Sequence, residues 1–97
     1  MIKKSDPSWR AIFNEEYAAW TDKSYGDLRV ALSEVIAQKR CCVHYDREGP
    51  GGTYQVEVQP LENRPDYLHV LVSVSEPSGW RSLSHSFIRY ADGRVDA

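Results

Sequence analysis

Apolar and polar positions alternate without a break through the stretch DYLHVLVSVSE, residues 66–76. Leu68, Val70, Val72 and Val74 fall on one side of an extended chain, and Tyr67, His69, Leu71, Ser73 and Ser75 on the other. A period of two with β-branched residues on one side predicts a strand with one face in a core. It is the most apolar run in the chain, and turn residues close it at both ends, so it is expected at the centre of a sheet. The same period recurs on either side of it. Cys41, Val43 and Tyr45 alternate with Cys42, His44 and Asp46; Tyr54, Val56 and Val58 alternate with Gln55, Glu57 and Gln59. Between these runs lies Glu48-Gly49-Pro50-Gly51-Gly52, a chain reversal with three glycines available for positive φ. Pro60 to Pro65 reads as a loop, Pro77-Ser78-Gly79 as a third turn, and Asp92-Gly93 as the end of a last strand. Strands are predicted at about 41–47, 53–59, 66–75 and 80–90, with frayed residues after them.

The first forty residues follow another period. Trp9, Ile12, Phe13, Tyr17 and Trp20 recur every three or four positions, with Arg10, Asn14 and Glu15 pointing away, which predicts an amphipathic helix over about 7–20. Ser5-Asp6-Pro7-Ser8 gives it a capping start with proline in the first turn. Ser24, with Asp27 three residues on, caps a second helix whose apolar side is Tyr25, Leu28, Leu32 and Val35. Good helix formers from Ala31 to Lys39 extend it to about residue 38. Two helices followed by four strands on short reversals predict a single α+β domain over 1–97, an antiparallel meander with both helices on one face. No internal repeat or low-complexity segment interrupts it.

The segments Tyr54-Gln-Val-Glu-Val58, Leu68–Val74, Trp80-Arg81, Ser86-Phe87-Ile88 and Asp92-Gly93, together with Tyr25-Gly-Asp-Leu28, resemble a group of small bacterial proteins of unknown function. The resemblance covers most of the chain beyond the first helix. It implies the meander and a bacterial intracellular setting, and it brings no activity with it.

Composition narrows the function classes. Net charge is −2; residues 1–40 hold seven Lys/Arg against six Asp/Glu, and residues 41–97 five against eight. Neither half offers the excess of cations that draws proteins to phosphate backbones, so nucleic-acid binding is not expected. No apolar run approaches the ~20 residues of a membrane span. MIKKSDPSW lacks the apolar stretch of a secretory signal, so a cytoplasmic location is expected. Cys41 and Cys42 are adjacent and give no framework of spaced pairs; reduced thiols are expected.

Four constellations invite a chemical reading. Cys42, His44 and His69 share the outward side of the predicted sheet, and His85 joins them in one register of the last strand; sulfur and imidazole ligands of this kind suit zinc. Their spacing is no metal signature, and neither metal nor cofactor is expected. Ser82-Leu-Ser-His85-Ser86 places serines near a histidine, without the elbow or orienting third group that nucleophilic serines need. Gly49-Pro50-Gly51-Gly52 leads into a strand, whereas a phosphate loop leads into a helix. Glu15-Glu16, Glu57 and Glu62 show no spacing that joins two carboxylates in one pocket.

Binding is the better expectation. The outward side of the sheet carries Gln55, Glu57, Gln59, Tyr67, His69, Leu71, Ser73 and Ser75, with Leu71 and Tyr67 as an apolar centre. Trp80 followed by Arg81 supplies a second anchor of the types that dominate protein interfaces. The sequence therefore predicts a non-enzymatic domain that meets a protein partner, or a second copy of itself, through Tyr67, His69, Leu71, Trp80 and Arg81. The alternative is a metal-binding protein or small metal-dependent enzyme using Cys42, His44 and His69. The second alternative is weak nucleic-acid binding through Arg81, Arg89 and Arg94 with Trp80 and Phe87, against the acidic balance.

Overall fold

The structure, a computed structural model, describes residues 7–97. Helices α1 (Pro7–Thr21), α2 (Tyr25–Ala31) and α3 (Ser33–Ala37) come first. Strands β1 (Val43–Gly49), β2 (Gly52–Asn63), β3 (Tyr67–Ser75), β4 (Ser82–Tyr90) and β5 (Val95–Asp96) follow. They form one antiparallel sheet in the order β1-β2-β3-β4-β5. The class is α+β with a meander, as the periodicity predicts, but with five strands in place of four and three helices in place of two.

The helix stripe predicted for α1 faces the sheet. Trp9, Ile12 and Trp20 are buried, Phe13 and Tyr17 pack beside them, and Arg10, Asn14 and Glu15 are exposed. Ser5 and Asp6, the expected capping positions, lie outside the described residues. Polar tips of the stripe fix α1 across the sheet. The Trp9 indole donates to the Val74 carbonyl at 2.9 Å and the Tyr17 hydroxyl to the Ser86 carbonyl at 3.1 Å. The last turn of α1 has no basic residue of its own. The guanidinium of Arg89 on β4 supplies that charge, donating to the Thr21 carbonyl where the helix ends in orphan acceptors.

The predicted second helix is divided at Leu32, whose backbone (φ −101°, ψ 3°) leaves the helical range. The Ser33 hydroxyl donates to the Val30 carbonyl at 2.8 Å, a local bond that competes with the helical ladder. The apolar side survives the break, because Leu28, Leu32 and Val35 are all buried. The expected cap is in place: Ser24 Oγ accepts from the Asp27 amide at 3.1 Å. At the far end Lys39 takes φ +54°, with Arg40 N–H on the Val35 carbonyl and Lys39 N–H on that of Ile36. This is the double bond of a Schellman stop, with lysine where glycine is usual.

β1 lies at Val43–Gly49 where about 41–47 is expected, and three further differences each have a local reason. β2 runs on through Pro60, Leu61 and Glu62, residues that read as loop. Pro60 pairs with Val70 beyond the end of β1, whose Val43 stands opposite Val58, so its missing N–H falls on an open edge and costs no ladder bond. β4 begins at Ser82, leaving Trp80 and Arg81 in the β3–β4 turn, which the Glu76 N–H to Arg81 carbonyl bond closes. The terminal residues expected to fray instead form β5, opposite Ile88 and Arg89. Gly93, at φ +101°, makes the intervening three-residue turn.

The hairpin between β1 and β2 uses its glycines unequally. Gly51 (φ +93°) and Gly52 (φ +134°) adopt positive φ. Gly49 does not; it provides room instead. A Cβ there would lie 2.4 Å from Ile12 Cδ1, the movable tip of its side chain, and 3.1 Å from the Tyr54 ring, so a side chain at residue 49 would oblige both to shift.

Alternate residues of the strands meet the helices. Tyr54, Val56, Val58, Leu68, Val70, Val72, Val74 and Phe87 are each 1% exposed or less and join Trp9, Ile12, Trp20, Leu28 and Leu32 in one cluster. Full burial of side chains of this size contributes about 1.5–3 kcal/mol each before entropy is counted, so this is where the stability of the domain resides. A shortest extent of 17 Å accommodates one sheet and one layer of helices. Among the described residues no layer covers the opposite face of the sheet.

Candidate functional site

The strand register arranges the uncovered face in rows across the sheet. Asp46, Gln55, Ser75 and Ser82 form one row, and His44, Glu57, Ser73 and Ser84 the next. Gln59, Leu71 and Ser86 follow, then Glu62, His69, Ile88 and Asp96, and finally Tyr67 beside Tyr90. The first rows are short and polar. Ser73 and Ser84 share a hydrogen bond of 2.8 Å between hydroxyls, and Ser75 and Ser82 one of 3.0 Å. The last rows add apolar and aromatic residues among the polar ones. Leu71, Ile88, Tyr67 and Tyr90 are all partly exposed there, the two tyrosine rings 5.9 Å apart. Arg94 stacks over the Tyr90 ring at 4.3 Å.

A bulge in β2 completes this end. Simple alternation after Gln59 would turn Glu62 toward the helices, but the register slips by one between Pro60 and Glu62. The extra residue, Leu61, lets Glu62 emerge beside His69 on the open face. Its carboxylate accepts from the Tyr67 hydroxyl at 3.0 Å and lies 3.4 Å from His69 Nδ1, an ion pair whenever the imidazole is protonated. That same hydrogen bond raises the Tyr67 pKa above its ordinary value, so the phenol stays neutral.

Tyr67, His69 and Leu71, predicted as the heart of the binding surface, therefore lie on the open face as a contiguous patch. Trp80 and Arg81 are not part of it. They sit past Ser75 and Ser82 at the other end of the strands, and Tyr67 to Ser75 spans roughly 27 Å at 3.4 Å per residue. Trp80 is 88% exposed at the tip of its turn. Arg81 turns to the helix side, holding Glu76 at 3.2 Å and covering the Trp9 ring at 5.2 Å. The sequence reading omitted Ile88 and Tyr90. Phe87 carries the signal that finds them, since a buried Phe87 turns every even-numbered residue of β4 outward.

The other constellations come apart in three dimensions. Cys42 lies beside Glu57, with Sγ 3.8 Å from its carboxylate, and His44 pairs with Glu57 across the strand. His69 is two strands away and in a different row. His85 stands opposite Val72, on the helix side against Tyr17 (ring centroids 5.3 Å apart). Among the described residues no three His, Cys, Asp or Glu side chains converge as a metal site would need. Burial, the Glu57 charge and Cys41 all raise the Cys42 pKa, which keeps the thiol protonated and poorly suited to ligation or attack. Of the nucleic-acid alternative, Trp80 and Arg81 share one turn, but Phe87 is 1% exposed, Arg89 caps α1 and Arg94 lies over Tyr90. Gly49 to Gly52 is a hairpin turn.

Two further polar groups are tied into the scaffold. A shallow groove between α2 and the β2–β3 turn is lined by Tyr25, Arg29, Asn63, Arg64 and Pro65. Its Arg29 guanidinium is occupied by the Asn63 side chain and the Arg64 carbonyl, and its Nε by Tyr25 at 2.8 Å. On the covered face, Tyr45 joins Trp20 to Glu16, and Arg47 bridges Glu16 at 2.7 Å and Glu15 at 2.6 Å. Burial first, and the Glu16 hydrogen bond second, push the Tyr45 pKa up to about 12. This network clamps α1 to β1.

No helix among the described residues is long and apolar enough to cross a membrane. Comparison with protein families, with curated proteins and with solved structures finds no match to this chain.

Proposed function

We propose that the chain is a small non-enzymatic interaction domain of the bacterial cytoplasm that binds a protein partner on its uncovered sheet face. The observation that supports this is the unequal treatment of the two faces. Every helix lies on one side, while Leu71, Ile88, Tyr67 and Tyr90 stand partly exposed together on the other. Aromatic and aliphatic side chains grouped in this way, with polar residues around them, have the make-up of an interface centre and rim. The rim is acidic, with Glu57, Glu62 and Asp96 on the same face. A complementary partner presents an apolar centre edged by lysine or arginine. The reactive side chains here are already engaged, Tyr67 and His69 with Glu62 and the Cys42 thiol with Glu57. Two free cysteines suit a reducing compartment.

The test is site-specific crosslinking. A photoreactive phenylalanine analogue at Tyr67 is expected to capture a partner from the native cell, and the same analogue at exposed Arg10 on α1 is not. With the captured protein purified, Leu71→Arg is expected to weaken its Kd by about tenfold or more, the loss of a central anchor. Equal capture at both positions, or a Kd indifferent to Leu71→Arg, would remove this reading.

A further inference from the structure

β1 is an edge strand seven residues long, and among the described residues no element pairs with its outer side. The two-residue turn Pro50–Gly51 makes Gly49 and Gly52 a hydrogen-bonded pair, and alternation then assigns Arg47, Tyr45 and Val43 to the ladder with β2. The backbone N–H and C=O groups of Glu48, Asp46 and His44 consequently point away from the sheet. Neither proline nor lysine, two common guards of an open edge, occurs between Val43 and Gly49. Along the covered face the edge is also unfinished. Val43, Tyr45 and Arg47 are half-buried, whereas the residues beside them, Val58, Val56 and Tyr54, are exposed by 1% or less.

From these groups we infer that a second copy of this chain pairs with β1, edge to edge and antiparallel, extending the sheet to ten strands about a twofold axis. The charges select the register. Outward-pointing residues must meet outward-pointing residues, so even positions face even positions. Centring the axis on His44 opposes His44 to itself, and centring it on Asp46 opposes two carboxylates. Centring it on Tyr45 sets His44 of each copy opposite Asp46 of the other, twice over, and Cys42 opposite Glu48. On the covered face the same register brings the two Tyr45 residues together and lays Val43 beside Arg47. An imidazole opposite a carboxylate offers it a hydrogen-bond donor, whereas two carboxylates opposite each other repel, so this arrangement sets no two of the edge's carboxylates against each other. The inference concerns the edge and does not depend on what the open face binds.

Sedimentation of the full 97-residue chain over a wide concentration range tests it. A reversible dimer of twice 11.1 kDa is expected. His44→Asp, which sets two carboxylates opposite each other, is expected to weaken the dimer by about tenfold or more. The double exchange His44→Asp with Asp46→His is expected to restore it, since the pairing is only reversed. Both positions are exposed, so circular dichroism should show each variant folded. In a Cys41→Ser background, Glu48→Cys should crosslink to Cys42 of the other copy on mild oxidation, because the register places them within disulfide reach. A monomer at every concentration would overturn the proposal. So would a dimer that survives His44→Asp, or one abolished by Leu71→Arg, which would transfer self-association to the open face.

Discussion

Leu68 and Leu71 are the same side chain on the same strand, three residues apart, and they have different fates. Leu68 is wholly buried beneath the helices; Leu71 looks out from the opposite face with only its strand neighbours for shelter. Their difference shows that the sheet is not what excludes water. A strand gives each side chain partial cover from its neighbours, and the second layer makes the core. With no second layer, the open face holds a hydrophobic group that stability does not require.

Truncating the two leucines measures that difference most directly. Leu68→Ala is expected to cost about 2–5 kcal/mol, the lost transfer energy plus an unfilled cavity. Leu71→Ala should stay within about 1 kcal/mol, since solvent replaces what is removed. Urea unfolding of the two variants reads both values, and similar costs would mean the open face is covered after all. The next effect lies where the helical layer touches down. Gly49→Ala forces a methyl group against Ile12 and Tyr54 and is expected to cost about 1–3 kcal/mol by overpacking. Ile12→Val removes the colliding Cδ1 and should recover part of that loss in the double variant, a coupling that simple strand propensity would not produce.

Tyr45 tests the clamp at the margin of the covered face. Tyr45→Phe leaves the buried Trp20 indole N–H without its acceptor and should cost about 1–3 kcal/mol at neutral pH. The folded protein holds the Tyr45 proton up to about pH 12, whereas the unfolded chain releases it near 10. The contribution is therefore complete below pH 10 and disappears as pH rises from 10 to 12. Unfolding midpoints through that window should fall more steeply for the native chain than for the phenylalanine variant. The smallest effect belongs to neither face. Lys39→Gly relieves the positive φ at the end of α3 and should stabilise by about 0.5–1 kcal/mol, seen as a modest rise in Tm.

Strict alternation made β3 and its two faces legible in the sequence, and the stripe from Trp9 to Trp20 did the same for α1. Where a local signal had two physical meanings, the reading failed. Pro60 ends most strands, and nothing in its neighbourhood says that β1 stops two residues short and leaves its nitrogen nothing to bond. Ser33 is a passable helix residue whose side chain here takes a backbone carbonyl. Val95 and Asp96 are too few to show a period. The proposed patch was half visible for a related reason. Tyr67, His69 and Leu71 follow from one strand alone, but Glu62 joins them through a bulge, and Ile88 and Tyr90 through a pairing register that spans two strands. Trp80 and Arg81 were placed with them on residue type, which carries no information about distance.

The bonds that hold α1 have a consequence in time. Its anchors lie far along the chain: Trp9 to Val74, Tyr17 to Ser86, Thr21 to Arg89, each 65 residues or more apart. The sheet, by contrast, is made of hairpins that close over short loops, the contacts that form fastest. During synthesis α1 leaves the ribosome before the strands it packs on and finds its seat after them. Until β3 has emerged, Trp9 has no wall to lie against. A chain cut before Tyr67 is therefore expected to carry a formed or half-formed helix with much of its apolar side in water, the substrate that chaperones recognise.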